Sequence, residues 1–157
     1  MGDAPASELS NADWSGPRPA VDIDTAPYWE SLRAHRLIVQ RCLACERLRW
    51  PLRAWCGRCQ SWDSELVEVS GLGTIRSWIR VHRAHLAPFK DRVPYVVLLV
   101  ELDEQNDIVI PGAMLGRAVP EGGRQVRATF EDVSSGLTLL RWELVVNGGR
   151  SVTLGDS

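Results

Sequence analysis

The four cysteines of the chain stand as two C-x-x-C pairs, Cys42-Leu43-Ala44-Cys45 and Cys56-Gly57-Arg58-Cys59, with ten residues between them. No other feature constrains the fold as tightly. A C-x-x-C turn lets two thiolates converge on one metal ion while backbone N–H groups bond the sulfurs. Two such knuckles at the tips of two short hairpins complete a tetrahedral S4 shell. Every position of that shell is a protein ligand, which leaves none for a reactive water, so the spacing predicts one structural Zn2+ per chain. Two disulfides or redox pairs are the alternative, and iron is chemically possible in the same shell. Residues 37–62 offer few aliphatic side chains after Val39, namely Leu43, Leu48 and Leu52. A metal therefore has to replace a core here, and zinc binding to a small ribbon is worth on the order of 10 kcal/mol or more. Trp50, Trp55 and Trp62 flank the cysteines and are expected to pack the ribbon against its neighbours.

A short helix is expected over Ala26 to Arg36. Asp24 or Thr25 can cap it, Pro27 falls in the first turn, and Arg33 and Arg36 suit its C-terminal end. Tyr28, Trp29 and Leu32 give it one apolar face, which either docks on the protein's own ribbon or barrel or meets a partner. Residues 1–24, with Pro5, Pro17, Pro19 and many small polar residues, read as a mobile leader.

After the ribbon the pattern turns to strands. Leu66-Val67-Glu68-Val69 leads into Gly71-Leu72-Gly73, and Thr74 to His82 then alternates, with Ile75, Ile79 and Val81 as its apolar set. Tyr95 to Leu102 is a β-branched run suited to a central strand. Asp103 to Asp107 reads as a turn, followed by Ile108-Val109-Ile110, Pro111-Gly112 and Ala113-Met114-Leu115, where Pro111 obscures the ends of a strand. Val126 to Val133 and Leu137 to Val146 form a last hairpin around Ser134-Ser135-Gly136. Five or six short strands without intervening helices fit a small closed barrel, an OB-fold first and an SH3-like barrel as its rival. Gly71 and Gly73 fall where a barrel strand bends. The fold class is thus mainly β, divided into a leader (1–24), a helix (25–36), a zinc ribbon (37–63), an OB-fold barrel (64–147) and a tail (148–157).

With 157 residues, 45% of them apolar and 24% charged, the chain is an ordinary globular protein of one domain or two small ones. Its longest apolar run, Val96 to Val100, is far short of the roughly 20 residues that cross a bilayer. An acidic, polar N-terminus does not read as a signal peptide, so a cytoplasmic chain with no membrane association is expected. The formal charge of −2 conceals a pattern. Residues 1–32 hold one Arg against six acids, residues 33–92 twelve basic side chains against five acids, and residues 93–157 five against nine. Lys90 is the single lysine, so the basic middle is almost all arginine, whose fork suits phosphates and carboxylates.

A set of motifs in fixed order resembles a known family. They are Pro27-Tyr28-Trp29-Glu30, the two cysteine pairs, Trp50-Pro51, Gly71-x-Gly73-Thr74-Ile75, the loop His82 to Phe89, Val93-Pro94-Tyr95, Val100 to Glu104, and Phe130-Glu131-Asp132. Over roughly residues 25–145 the chain resembles the acyl-CoA-associated, domain-of-unknown-function family that joins an N-terminal helix and a rubredoxin-like zinc ribbon to an OB-fold. One departure concerns the knuckles. Glycine often follows the second cysteine, whereas Glu46 and Gln60 stand here, so each turn must hold a side chain in a strained conformation.

What the resemblance implies is a non-catalytic subunit of a thiolase-fold enzyme: a thiolase, acyltransferase or steroid side-chain aldolase, in a hetero-oligomer expected to be a heterotetramer. The CoA thioester would then lie at the interface with the partner. The residues agree with an absence of catalysis. Zinc consumes every cysteine, the only histidines are His35, His82 and His85, and no Gly-x-Ser-x-Gly elbow, Walker loop or dinucleotide fingerprint occurs. His82 and His85 lie after a strand without a carboxylate to orient them and are expected to be exposed or partner-facing. Arg80, Arg83, Lys90 and Arg92 are candidates for the CoA phosphates, for acidic residues of a partner, or for an ordinary solvated loop. Partner contacts are expected at Tyr28, Trp29, Leu32, His82, His85, Phe89 and Tyr95. Two other classes compete. Zinc ribbons and OB barrels bind single-stranded nucleic acid, with Trp78, Tyr95, Phe130 and Trp142 available for stacking, but the net acidity of the chain opposes this. A rubredoxin-like electron carrier would require iron.

Overall fold

The computed structural model describes Trp14 and residues 16–145. The tail at 148–157 and most of the expected leader lie outside the described residues. A helix of about two turns, α1 (Ala26–Arg33), precedes a three-stranded antiparallel sheet of β1 (Ile38–Cys42), β2 (Leu48–Arg49) and β3 (Ser64–Glu68), in the order β2-β1-β3. β3 therefore belongs to the ribbon, paired along its length with β1 from Ile38↔Glu68 to Cys42↔Ser64, and not to the barrel in which the sequence reading placed residue 64 onward. β1 thus carries Cys42 at its end, and β2 follows the first knuckle.

The barrel is closed by five strands: β4 (Leu72–Val81), β5 (Tyr95–Leu102), β6 (Gln105–Met114), β7 (Gln125–Ser134) and β8 (Leu137–Leu144), in the order β4-β5-β6-β8-β7. β6 and β8 close it as the one parallel pair among the described strands, through Ala113↔Arg141 and Met114↔Trp142. Strict alternation along β5 sends Val96, Leu98, Val100 and Leu102 inward, where they meet Ile108, Ile110, Val126 and the wholly buried Trp142. Gly73 is required by proximity: a Cβ there would lie 2.5 Å from the Glu101 carbonyl oxygen. Gly71 is required by its positive φ of 72°. β6 runs unbroken through Pro111. It meets β8 only at Ala113 and Met114, so one edge of the strand is unpaired at Pro111, the setting in which a strand tolerates proline.

Ribbon and barrel share a core. Leu37, Val39 and Val69 from the ribbon pack in one cluster with Ile75, Val100 and Trp142 from the barrel. Polar contacts reinforce the junction: the Gln105 side chain accepts from Leu48 N–H at 2.9 Å and donates to Leu48 C=O at 2.9 Å, mimicking one rung of a ladder between β2 and β6. Ser70 N–H donates to Glu104 at 2.6 Å.

α1 is shorter than the sequence suggests. Thr25 takes the N-cap position but makes no side-chain cap bond; Asp22 closes the turn before it, accepting from the Thr25 N–H at 2.8 Å and the Thr25 hydroxyl at 2.7 Å. At the other end His35 takes φ 54°, with His35 N–H bonded to Leu32 C=O and Arg36 N–H to Ser31 C=O, both at 2.9 Å. That is a Schellman stop, and it ends the helix before Arg36. A second helix, α2 (Ala87–Lys90), lies in the loop between β4 and β5 and has no counterpart in the sequence reading.

Candidate functional site

The two knuckles bring all four cysteine Sγ atoms within 4.8 Å of one another. Four sulfurs at about 2.3 Å from one Zn2+ stand about 3.8 Å apart in a tetrahedron. The separations Cys42 to Cys59 and Cys45 to Cys56 are 3.5 and 3.8 Å, so the donor set fits such an ion. Backbone N–H groups of Cys59 and Arg58 pull the Cys56 thiol down to about 6, which favours the thiolate a metal needs. Glu46 and Gln60 do adopt positive φ, 56° and 62°, so both turns carry a side chain where glycine is the easier choice. With all four positions supplied by cysteine, a zinc ion bound here would tie the two knuckles together and have no open coordination site.

Around the centre the tryptophans divide. Trp50 is half-buried against the core, with its ring centroid 5.9 Å from that of Tyr28. Trp55 and Trp62 pair with each other at 5.9 Å but stay 54% and 70% exposed, contrary to the expectation that all three pack inward. The face of α1 is also an internal one. Leu32 is 1% exposed and sits in the protein's own core, which removes it as a partner contact; Tyr28 and Trp29 pack half-buried on the same core, α1 lying against β1, β7 and β8. Burial pushes the Tyr28 hydroxyl upward, keeping it neutral.

The second region of interest is the far end of β4 and β5 with the loop between them. β4 pairs with β5 out to Val81↔Tyr95, but a bulge between Ile75 and Ser77 breaks its alternation and residues 76–80 are exposed on both faces. Ile79, one of the apolar set along this strand, is 62% exposed, and Trp78 beside it is 39% exposed. His82 and His85 are exposed in the loop that follows. Phe89 and Tyr95 are half-buried with ring centroids 6.2 Å apart, and Trp14 joins them, 6.0 Å from Phe89, with the Arg92 guanidinium 5.2 Å over its ring. Trp14 falls within the segment expected to be a mobile leader. Its packing depends on residues about 75 positions further on, which local composition cannot show.

A cleft of about 600 Å³ opens beside this end. Arg80, Arg92 and Tyr95 line it together with Arg117 and one acid, Asp91. Arg83 and Lys90 do not line it, so two of the four sequence candidates for phosphate contact share the cleft and two stand outside it. Arg117 had no sequence signal of its own; the barrel closure brings it there.

Comparison with known proteins agrees with this architecture. The profile of the rubredoxin-like zinc ribbon domain of ChsH2 matches residues 29–63, and that of the ChsH2 C-terminal OB-fold domain matches residues 66–131. A solved structure described as an Ltp2-ChsH2(DUF35) aldolase superposes with a TM-score of 0.75 at 35% identity, covering 82% of this chain and all of that one. A DUF35 domain-containing scaffold protein of Methanocaldococcus jannaschii is 31% identical over 103 residues, 62% of this chain and 69% of the relative. The chain belongs to the DUF35 family. The 3-oxo-4,17-pregnadiene-20-carboxyl-CoA hydratase alpha subunit of Mycobacterium tuberculosis is 37% identical over 128 residues, 80% of this chain. This DUF35 chain spans 39% of the length of that subunit, and 28% of a probable enoyl-CoA hydratase alpha subunit from Thermomonospora curvata, 42% identical over 93 residues that make up 59% of this chain. Among the described residues no helix is long and apolar enough to cross a membrane.

Proposed function

We propose that this chain is a non-catalytic accessory subunit of a thiolase-fold acyl-CoA enzyme, a thiolase, acyltransferase or retro-aldolase acting on lipid, steroid or aromatic CoA thioesters. The observation that carries the reading is the likeness, over 82% of this chain and all of the other, to a chain of an aldolase whose description pairs ChsH2(DUF35) with Ltp2. The relatives described as hydratase alpha subunits and as a scaffold protein support the same class.

The role is positional. An enzyme that holds a long pantetheine arm gains from added walls that exclude water and fix geometry. The overhanging end of β4 and β5, with Trp78 and Ile79 outward, is the surface assigned to the thiolase-fold partner, with His82, His85, Phe89 and Tyr95 beside it. Arg80 and Arg92, with Arg117, would meet CoA phosphates from the adjoining cleft, and Asp91 would limit how much negative charge it accepts. The zinc ribbon fixes the helix and barrel relative to each other through the shared core. The assembly is a hetero-oligomer, two copies of each chain fitting the usual thiolase-fold dimer.

Affinity capture of the full chain from its own cells, with mass spectrometry of what co-purifies, tests this reading. The expected result is a stoichiometric thiolase-fold enzyme whose thioester activity falls when this chain is deleted. Turnover of acyl-CoA by the purified chain alone would overturn it.

A further inference from the structure

A second cleft, of about 580 Å³, lies between the zinc ribbon and the barrel and is lined by Arg47, Arg49, Arg53, Arg58, Trp50 and Trp55. Sites for small ligands run from about 300 to 1,000 Å³. Asp107 is the one acid on its wall, and it is paired with Arg47. Among the described residues, the other three arginines have no carboxylate partner. Arg49 is the unusual one. Its Nε donates to Gln40 Oε1 at 3.0 Å, while both terminal nitrogens are buried without a hydrogen-bond partner. The same Gln40 oxygen accepts from the Arg53 N–H at 2.7 Å, which ties the two arginines to one anchor.

A buried cation with no counter-charge is costly, and an anion that reaches it removes that cost. A guanidinium fork fits phosphate oxygens two at a time. Trp55 adds an exposed indole at the same cleft, a platform on which a nucleobase of any identity can stack. We propose that the ribbon–barrel cleft binds a nucleoside diphosphate, its phosphates on Arg53 and Arg58 with the unpaired Arg49 guanidinium behind them, and its base against Trp55. The inference goes beyond the subunit role proposed above and uses different residues. It stands whether or not a thiolase-fold enzyme is captured.

The test is calorimetric titration of the zinc-loaded full chain with ADP, pyrophosphate and adenosine as probes. Binding should fall in that order, adenosine giving no saturable signal, and ADP affinity should weaken as salt rises. The double variant Arg53→Ala/Arg58→Ala, whose side chains are exposed, should keep its zinc and bind ADP at least tenfold more weakly. Trp55→Ala should lower ADP affinity to that of pyrophosphate, and Arg76→Ala, outside the cleft, should leave it unchanged. Absence of ADP binding up to about 1 mM, corresponding to about −4 kcal/mol, overturns the proposal. So does undiminished binding by the double variant, or adenosine binding as tightly as ADP. Pyrophosphate matching ADP in the wild type overturns the assignment of the base to Trp55.

Discussion

The imidazole Nε2 of His35 lies 3.1 Å from each carboxylate oxygen of Asp132, joining the end of α1 to β7 across 97 residues of sequence. The His35 ring also stacks on Phe130, centroids 5.5 Å apart and planes 5° from parallel, and Thr138 donates to Asp132 at 2.6 Å from β8. The left-handed backbone of His35 that stops the helix is what turns its ring toward the barrel. One strained residue therefore both ends α1 and pins it.

A pH dependence follows from Asp132. The hydroxyl of Thr138, and then His35, hold its carboxyl below the usual value of 3.8. A carboxyl lowered in the folded state contributes stability that is present above its unfolded value and is lost as pH falls through the folded one. Asp132→Asn should therefore cost stability at pH 7 and cost less at a pH below 3.8, the difference shrinking as the folded carboxyl protonates. Both side chains are half exposed, so the difference at pH 7 is up to about 1 kcal/mol. Paired urea melts of wild type and variant at the two pH values check this. A difference independent of pH would show that the pair contributes shape and not charge.

The zinc centre predicts an all-or-none response. Cys42→Ser or Cys56→Ser should drop bound zinc from one ion per chain toward none. The ribbon should lose its order, because metal binding of about 10 kcal/mol or more substitutes for the missing aliphatic core. Elemental analysis and near-ultraviolet dichroism are the measurements. Leu37 and Val39 of the ribbon pack against Ile75 and Trp142, so the melting temperature of the barrel should fall with it.

Gly73 gives a sharper steric prediction. A methyl group at this position would meet the Glu101 carbonyl oxygen at 2.5 Å and Val100 Cγ1 at 2.6 Å, so the β4–β5 ladder must separate to admit it. Overpacking of this kind costs about 1–3 kcal/mol, and in a domain of this size Gly73→Ala should lower Tm by roughly 5–10 °C. Gly57, where an added Cβ meets nothing within 4 Å, is the control: Gly57→Ala should leave Tm within about 2 °C of wild type.

What could be read from the sequence and what could not divide along a physical line. The S4 cluster was legible because each knuckle is built within four residues and two knuckles complete it. The barrel was legible because alternation such as that of Val96, Leu98 and Val100 is local and regular. Ile79 shares the parity of the buried Ile75, yet the far end of β4 is exposed on both faces, and nothing in the local pattern marks that change. The seat of Trp14 and the meeting of Arg80 with Arg117 both depend on tertiary approach. So does the burial of Leu32: an apolar stripe on a short helix has the same sequence whether its own barrel or another protein covers it.

The exposed end of β4 supplies the last prediction. Trp78 and Ile79 are neighbours on an extension whose pairing to β5 is complete, so neither is needed to fill the barrel core. If this end is the docking surface, Ile79→Arg should leave Tm within about 2 °C of wild type, as an exposed substitution does. The same change should weaken binding of the captured partner at least tenfold, since a charge placed in the centre of an interface is desolvated without a counterpart, typically at a cost of about 2 kcal/mol or more. Biolayer measurements on the purified complex read the second quantity and a thermal melt of the lone chain the first. Both are needed: a fall in Tm would mean that Ile79 belongs to the fold, and unchanged affinity at unchanged Tm would move the interface elsewhere on the molecule.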